Sequence, residues 1–116
     1  MAALAIDSID AYVEMLRATF SAERAANRAV VVQMQFSGRV AGSCYFSVEG
    51  GRLEAARGTH PSPTATVATD FDLWMRVVSY QEDALLAYQA GTFVVTGDVD
   101  TLLESDAWFV RSALLS

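Results

Sequence analysis

The chain has 116 residues, fourteen of them Asp or Glu against eight basic ones, for a formal charge of −6, and 53% of its residues are apolar. That length suits one domain spanning residues 1–116, and 19% charged residues with few Pro and Gly exclude the composition of a disordered chain. A pI near 4.5 leaves no surplus of positive charge to neutralise phosphates, so nucleic acid is not an expected partner.

All eight basic residues are Arg, which removes lysine nucleophiles and Schiff bases from consideration. Cys44 is the only cysteine and His60 the only histidine, so no intrachain disulfide, Cys-based zinc site or multi-His site can form. The first residues lack the basic segment and apolar run of a signal peptide, and no apolar run approaches the roughly 20 residues that span a bilayer. The expectation is a cytoplasmic domain.

In chain order, residues 7–28 read as one helix, with Asp7 or Ser8 as cap and Ile9, Tyr12, Val13, Leu16 and Phe20 at helical spacing. From Ala29 the period changes to two. Val30, Val32, Met34 and Phe36 share one side of a strand, and Gln33 and Gln35 take the other. After Ser37-Gly38 a second strand alternates Val40, Gly42, Cys44, Phe46 and Val48 with Ala41, Ser43, Tyr45 and Ser47. Glu49-Gly50-Gly51-Arg52 tolerates the positive φ of a hairpin, and Leu53, Ala55 and Arg57 continue a third strand as far as Gly58.

Beyond the His60-Pro61-Ser62-Pro63 loop, Thr64 to Thr69 is β-branched enough for a fourth strand. Asp70 caps a helix whose Phe71, Trp74, Met75 and Val78 follow the i, i+3, i+4, i+7 spacing. A short helix from Asp83 carries Leu85, Leu86 and Tyr88 and closes at Gly91. Thr92 to Thr96 is a fifth strand, and a last helix from about Val99 carries Leu102, Leu103, Trp108, Phe109, Val110, Leu114 and Leu115. The order predicts an α+β domain: a helix, a three-stranded meander, a crossover to a fourth strand, helices, a fifth strand and a terminal helix. Its five-stranded sheet would carry helices on one face.

Reactive constellations are sparse. Gly50-Gly51 has neither the spacing nor the Lys of a phosphate loop, and no G-x-G-x-x-G run occurs. Asp98 and Asp100 depart from a calcium loop at the next ligand position, which holds Leu102, so capping is their expected role. Asp70 and Asp72, two residues apart, do not face each other on a helix as paired acid and base would. His60 reads as an exposed loop residue, Cys44 as a small buried hydrophobe. The positive signal is apolar and aromatic, concentrated in residues 71–110, where short helices over a sheet can wall a pocket on the order of 300–1,000 Å³.

Phe46-Ser-Val-Glu-Gly-Gly51, the loop to Pro63, Thr66-Val-Ala-Thr-Asp70, Trp74, Ala87 to Gly91 and Val94-Val-Thr-Gly-Asp98 together resemble the sterol carrier protein type 2 family in order and spacing. The similarity covers roughly residues 30–110. The resemblance implies a five-stranded sheet with helices over one face enclosing a hydrophobic tunnel. It also implies non-covalent binding of fatty acyl chains, sterols, isoprenoids or similar ligands, with no catalysis, cofactor or metal. Thr92 stands where the family commonly has Lys, and the end Ala113-Leu-Leu-Ser116 is not a peroxisomal address. The charge of −6 argues against strong binding to anionic membranes, and the Lys-free, Ala-, Arg- and Val-rich usage fits a bacterial protein.

The expected function is therefore a carrier for a hydrophobic small molecule or lipid, including polyketide-like compounds. Its expected tunnel walls are Phe71, Trp74, Met75, Val78, Leu86, Tyr88, Phe93, Leu102 and Phe109. Tyr45, Tyr88 or an Arg would hold a polar head. The alternative is a small enzyme acting on a hydrophobic biosynthetic intermediate by holding a reactive conformer, with Tyr45, Tyr88, Asp70 and Arg76 as polar assistants. A third expectation is a homodimer formed through the terminal helix, using Trp108, Phe109, Val110, Leu114 and Leu115.

Overall fold

The computed structural model describes residues 6–79 and 81–110. In order these form α1 (Ile9–Thr19), α2 (Ala22–Ala25), β1 (Val30–Ser37), β2 (Gly42–Glu49), β3 (Arg52–Arg57), β4 (Ala65–Asp70), α3 (Phe71–Val78), α4 (Ala84–Gln89), β5 (Val94–Gly97), α5 (Val99–Ser105) and a 3-10 turn (Asp106–Trp108). The fold is α+β, one five-stranded mixed sheet in the order β3-β2-β1-β4-β5. Among the described residues no helix is long and apolar enough to cross a membrane.

The two hairpins set the register. β1 and β2 run antiparallel with Val32 opposite Phe46 and Met34 opposite Cys44, and β2 and β3 continue with Phe46 opposite Ala55. β4 pairs parallel to β1, Met34 opposite Val67, and β5 closes the edge antiparallel with Val67 opposite Val95. Because side chains alternate, this register brings Cys44, Met34, Val67 and Val95 into one row on the inner face, and all but the partly buried Val95 are fully buried there. Helix α1 lies against β2 and β3, and α3 and α5 lie against β4.

Side-chain caps fix the helix starts. Ser8 Oγ accepts from the Ala11 N–H, and Asp70, Asp83 and Asp98 accept from the N–H three residues on at the starts of α3, α4 and α5. Hydrogen bonds from the Thr101 side chain and amide hold the Asp98 carboxyl below the usual carboxylate range. Gly97 has φ +97°, and a Cβ there would lie 2.5 Å from the Thr64 carbonyl oxygen, so the closest approach of β5 to the crossover requires glycine.

Three expectations are corrected. Residues 7–28 form two helices instead of one: Phe20 leaves helical geometry at ψ 135°, pairs in an isolated β-bridge with Phe109, and lets Ser21 cap α2. The fifth strand begins at Val94, because Thr92 donates through both its N–H and its hydroxyl to the Ala87 carbonyl and so finishes α4. The last helix stops at Ser105 and tightens into the 3-10 turn, after which Phe109 takes extended geometry. Leu114 and Leu115 lie outside the described residues.

Gln33 stands on the side of β1 opposite Met34, as its alternation predicts, and is 1% exposed. The chain from β3 to β4 must cross β2 and β1, and it does so over the outer face, directly above Gln33. The Gln33 Nε2 donates to the carbonyls of Cys44 and Gly58 at 3.0 Å, and its Oε1 accepts from the His60 N–H at 2.7 Å. His60 then packs its ring edge-on against Tyr45, centroids 5.2 Å apart, and its Nδ1 accepts from the Ser62 N–H. Gln33→Leu keeps the volume but leaves these backbone groups without their partner. We expect it to destabilise the fold by about 3 kcal/mol in urea denaturation, well beyond Gln35→Leu on the exposed part of that face.

Candidate functional site

Two helices cannot cover a sheet five strands wide, and the gap between α1 and α3 on the inner face is closed by large side chains. Three aromatic groups meet there. Tyr12, Phe36 and Phe71 stack edge-on at 5.5 and 5.0 Å, Phe46 meets Phe109 at 5.1 Å, and Trp74 meets Phe93 at 5.3 Å with Tyr88 behind it. The Trp74 Nε1–H donates to the Tyr12 hydroxyl oxygen at 3.0 Å, tying α3 to α1.

A slot of about 30 Å³ remains between these groups. Met34 and Phe46 line it from the sheet, Tyr12 and Leu16 from α1, Trp74 and Val78 from α3, and Phe93, Leu102, Ser105 and Phe109 from the C-terminal part of the chain. Ala84, Leu103 and Asp106 line it too, and the same three residues line an outer groove of about 440 Å³ with Val77, Glu82, Asp83 and Leu85. The slot therefore opens outward between α4 and α5. Its volume is that of about one water, far below the pocket on the order of 300–1,000 Å³ that was expected, because the walls pack into their own cavity.

Of the nine expected wall residues, Trp74, Val78, Phe93, Leu102 and Phe109 meet around this slot. Phe71 is fully buried but belongs to the Phe36 side of the core, and Met75 and Tyr88 are partly buried outside the slot. Leu86 is a correction: it is 65% exposed, since α4 fully buries only Ala87 and turns Leu86 to solvent. Tyr12, Leu16, Met34 and Phe46 line the slot without having been assigned to it. The alternation of β1 and β2 and the apolar face of α1 marked all four as core, which is the signal that could have found them.

The polar candidates stand elsewhere. Tyr45 packs on His60 across the sheet, Asp70 caps α3, and Arg76 bonds Glu82 at 3.4 Å. None of the three lines the slot, and neither does Tyr88. Trp108 and Phe109 are buried within the chain, so neither presents a surface to a second subunit. No group of three or more potential metal-ligating side chains occurs among the described residues.

No protein-family model and no curated protein matches the chain. Its fold is that of SCP2-like structures. It is similar to UbiJ-SCP2, a ubiquinone synthesis protein, with TM-score 0.68 and 12% identity over 85% of this chain and 90% of that one. It is similar to sterol carrier protein 2 like 2 from Aedes aegypti, with TM-score 0.61 and 17% identity over 85% of this chain and 94% of that one. The same mosquito protein has been solved in a palmitated form. It is also similar to part of the inverting sec-alkylsulfatase Pisa1 from Pseudomonas sp., with TM-score 0.80 and 17% identity over 89% of this chain. The chain spans 16% of that enzyme's length.

Cys44 is fully buried in β2, and burial pushes its thiol up to about 12 from an ordinary value near 9. Desolvation favours the protonated thiol, so its contribution to stability is complete below pH 9 and is lost as pH rises towards 12. We expect Cys44 to resist a thiol-reactive disulfide reagent in the native protein and to react fully in denaturant, and we expect alkaline unfolding to set in later in Cys44→Ala than in the parent.

Proposed function

We propose that this chain is a non-catalytic carrier that takes an apolar or amphipathic small molecule into the slot beneath α1 and α3. The observation that carries this reading is the continuity of an aromatic-walled slot with a groove open to solvent at Ala84, Leu103 and Asp106. The SCP2-like fold supports it, since one protein of that fold is known in a palmitated form. Burial of apolar area, at about 25 cal/mol per Å², supplies most of the affinity.

The closed slot admits such a ligand only if a wall moves, and α4 is the least anchored of its neighbours. It buries one residue fully, Ala87, while Leu85 and Leu86 are 48% and 65% exposed. Outward movement of α4 costs little apolar burial and widens the slot where it already meets the groove. Ligand class, whether fatty acyl, sterol, isoprenoid or polyketide-like, follows from the volume then reached. A carrier in an aqueous compartment such as the cytoplasm is the consistent setting. The placement of Tyr45, Asp70, Arg76 and Tyr88 outside the slot favours binding over conversion of the ligand.

The test is uptake of the uncharged fluorophore N-phenyl-1-naphthylamine by the purified chain, with native mass spectrometry and organic extraction for copurified lipid. We expect saturable binding, weakened about tenfold by Leu102→Trp within the slot and by Ala84→Trp at its opening, both with the parent's cooperative unfolding. No binding and no copurified ligand, or both Trp variants binding like the parent, would sink the carrier reading.

A further inference from the structure

The sides of the slot differ in how far they can give. Between α1 and α3 its width is fixed: the Trp74 Nε1–H donates to the Tyr12 hydroxyl oxygen at 3.0 Å, both side chains are buried, and parting the helices would leave the indole N–H without its partner. The side beneath α4 is held by packing. There Phe93 sets its ring edge-on against Trp74 at 5.3 Å and tilted against Tyr88 of α4 at 5.8 Å. The Thr92 N–H and hydroxyl both donate to the Ala87 carbonyl, at 3.1 and 2.7 Å, so the chain leading into Phe93 travels with α4.

Phe93 also stands between two spaces. It is 4% exposed, and among the described residues it alone lines both the slot and a second groove, of about 530 Å³, where Phe36, Ala68 and Val94 supply apolar groups. The first groove, at Ala84 and Leu85, lies beside the start of α4, and the second, at residues 91–94, follows directly after its end. Between them α4 runs for six residues, about 9 Å. A space that can grow along α4 but not across it suits a flexible chain, which threads through. The four fused aliphatic rings of a sterol are rigid and thicker than a chain or a flat aromatic, and would need α1 and α3 to part.

We infer that the site takes linear chains and rejects fused aliphatic ring bodies, the chain entering beside Ala84, passing under α4 and Phe93, and leaving its far end in the groove at residues 91–94. The Trp74–Tyr12 pair sets the thickness admitted, and Phe93 is the gate to the second groove. This selectivity rests on the carrier reading and narrows its ligand to one class.

The test displaces bound N-phenyl-1-naphthylamine, a flat aromatic, with two carboxylates below micelle formation: hexadecanoate, and cholanate, whose fused rings carry no hydroxyl. We expect hexadecanoate to compete about tenfold better. Tyr12→Phe keeps the ring and removes the bond across the slot, and should narrow that gap to about threefold by improving cholanate. A readout that needs no variant is photolabelling of the unmodified chain with hexadecanoate carrying a diazirine at its methyl end, which should mark residues 91–94 or Phe36. Cholanate competing as well as hexadecanoate, a gap unmoved by Tyr12→Phe, or a methyl-end label confined to residues 82–85 overturns the threading passage and leaves the carrier standing. If neither the fluorophore nor either carboxylate binds, the carrier reading fails and the selectivity falls with it.

Discussion

The hydrogen bond from the Trp74 indole to the Tyr12 hydroxyl is the contact on which the inner face depends. Helix α1 is seated on β2 and β3 and α3 on β4, so the two are held by opposite sides of the sheet and β1 runs beneath the space between them. Both partners are buried, which makes the bond expensive to break without a replacement. It sets how far apart the helices stand, and with them the width of the slot. Phe46, Phe109, Leu102 and Phe93 then fill what the two helices leave uncovered. The site is thus a consequence of covering a wide sheet with short helices, and its walls are the same residues that hold the core together.

That double duty explains what could be seen in the sequence. Strand alternation from Val30 to Val48, the Asp and Ser caps, and the glycines at both hairpins and β5 are local signals, and the corresponding elements are present, with β2 starting at Gly42 instead of Val40 and β5 at Val94 instead of Thr92. Gln33 escaped because an amide on a polar sheet face looks the same whether solvent or a crossover loop covers it. The break at Phe20 escaped because Phe20 keeps the helical spacing; what removes it from the helix is its bridge to Phe109, distant in sequence. Leu86 lies in an apolar run of a short helix, which makes it a wall candidate, whereas its direction is set by Ala87, the one residue through which α4 is fully seated. Sheet residues such as Met34 and Phe46 could be read as core, but core and cavity wall are distinguished only by the volume between helices that the sequence does not encode locally.

Charge follows a similar division. Among the described residues five arginines make ion pairs, Arg17 with Glu14, Arg28 with Glu104, Arg39 with Asp72, Arg57 with Asp10 and Arg76 with Glu82. All are surface pairs, worth little each in stability. Three of them join segments far apart in the chain: Arg28 reaches Glu104 of α5, Arg39 reaches Asp72 of α3 and Arg57 reaches Asp10 of α1. Carboxylates that cap helices are fixed by that role, Asp83 beside the start of α4 and Asp98 beside that of α5. The acidic groups that line the groove outside the slot are Glu82, paired with Arg76, Asp83, which caps α4, and Asp106.

The closed slot also sets the energetics of carrying. If opening is needed for binding, the observed affinity is the intrinsic affinity of the open form reduced by the fraction of molecules that are open. Substitutions that loosen α4 should then tighten binding, while those that anchor it should weaken binding, although neither touches the ligand. The same linkage works in reverse: a ligand that occupies only the open form stabilises it, raising its population as free ligand rises above the dissociation constant. A carrier needs this balance, because a permanently open apolar slot would expose ring surface to water and a tightly closed one could not load. On the carrier reading, the burial of α4 through Ala87 alone, beside a core of packed aromatic rings, distinguishes the element that would move from those that would not.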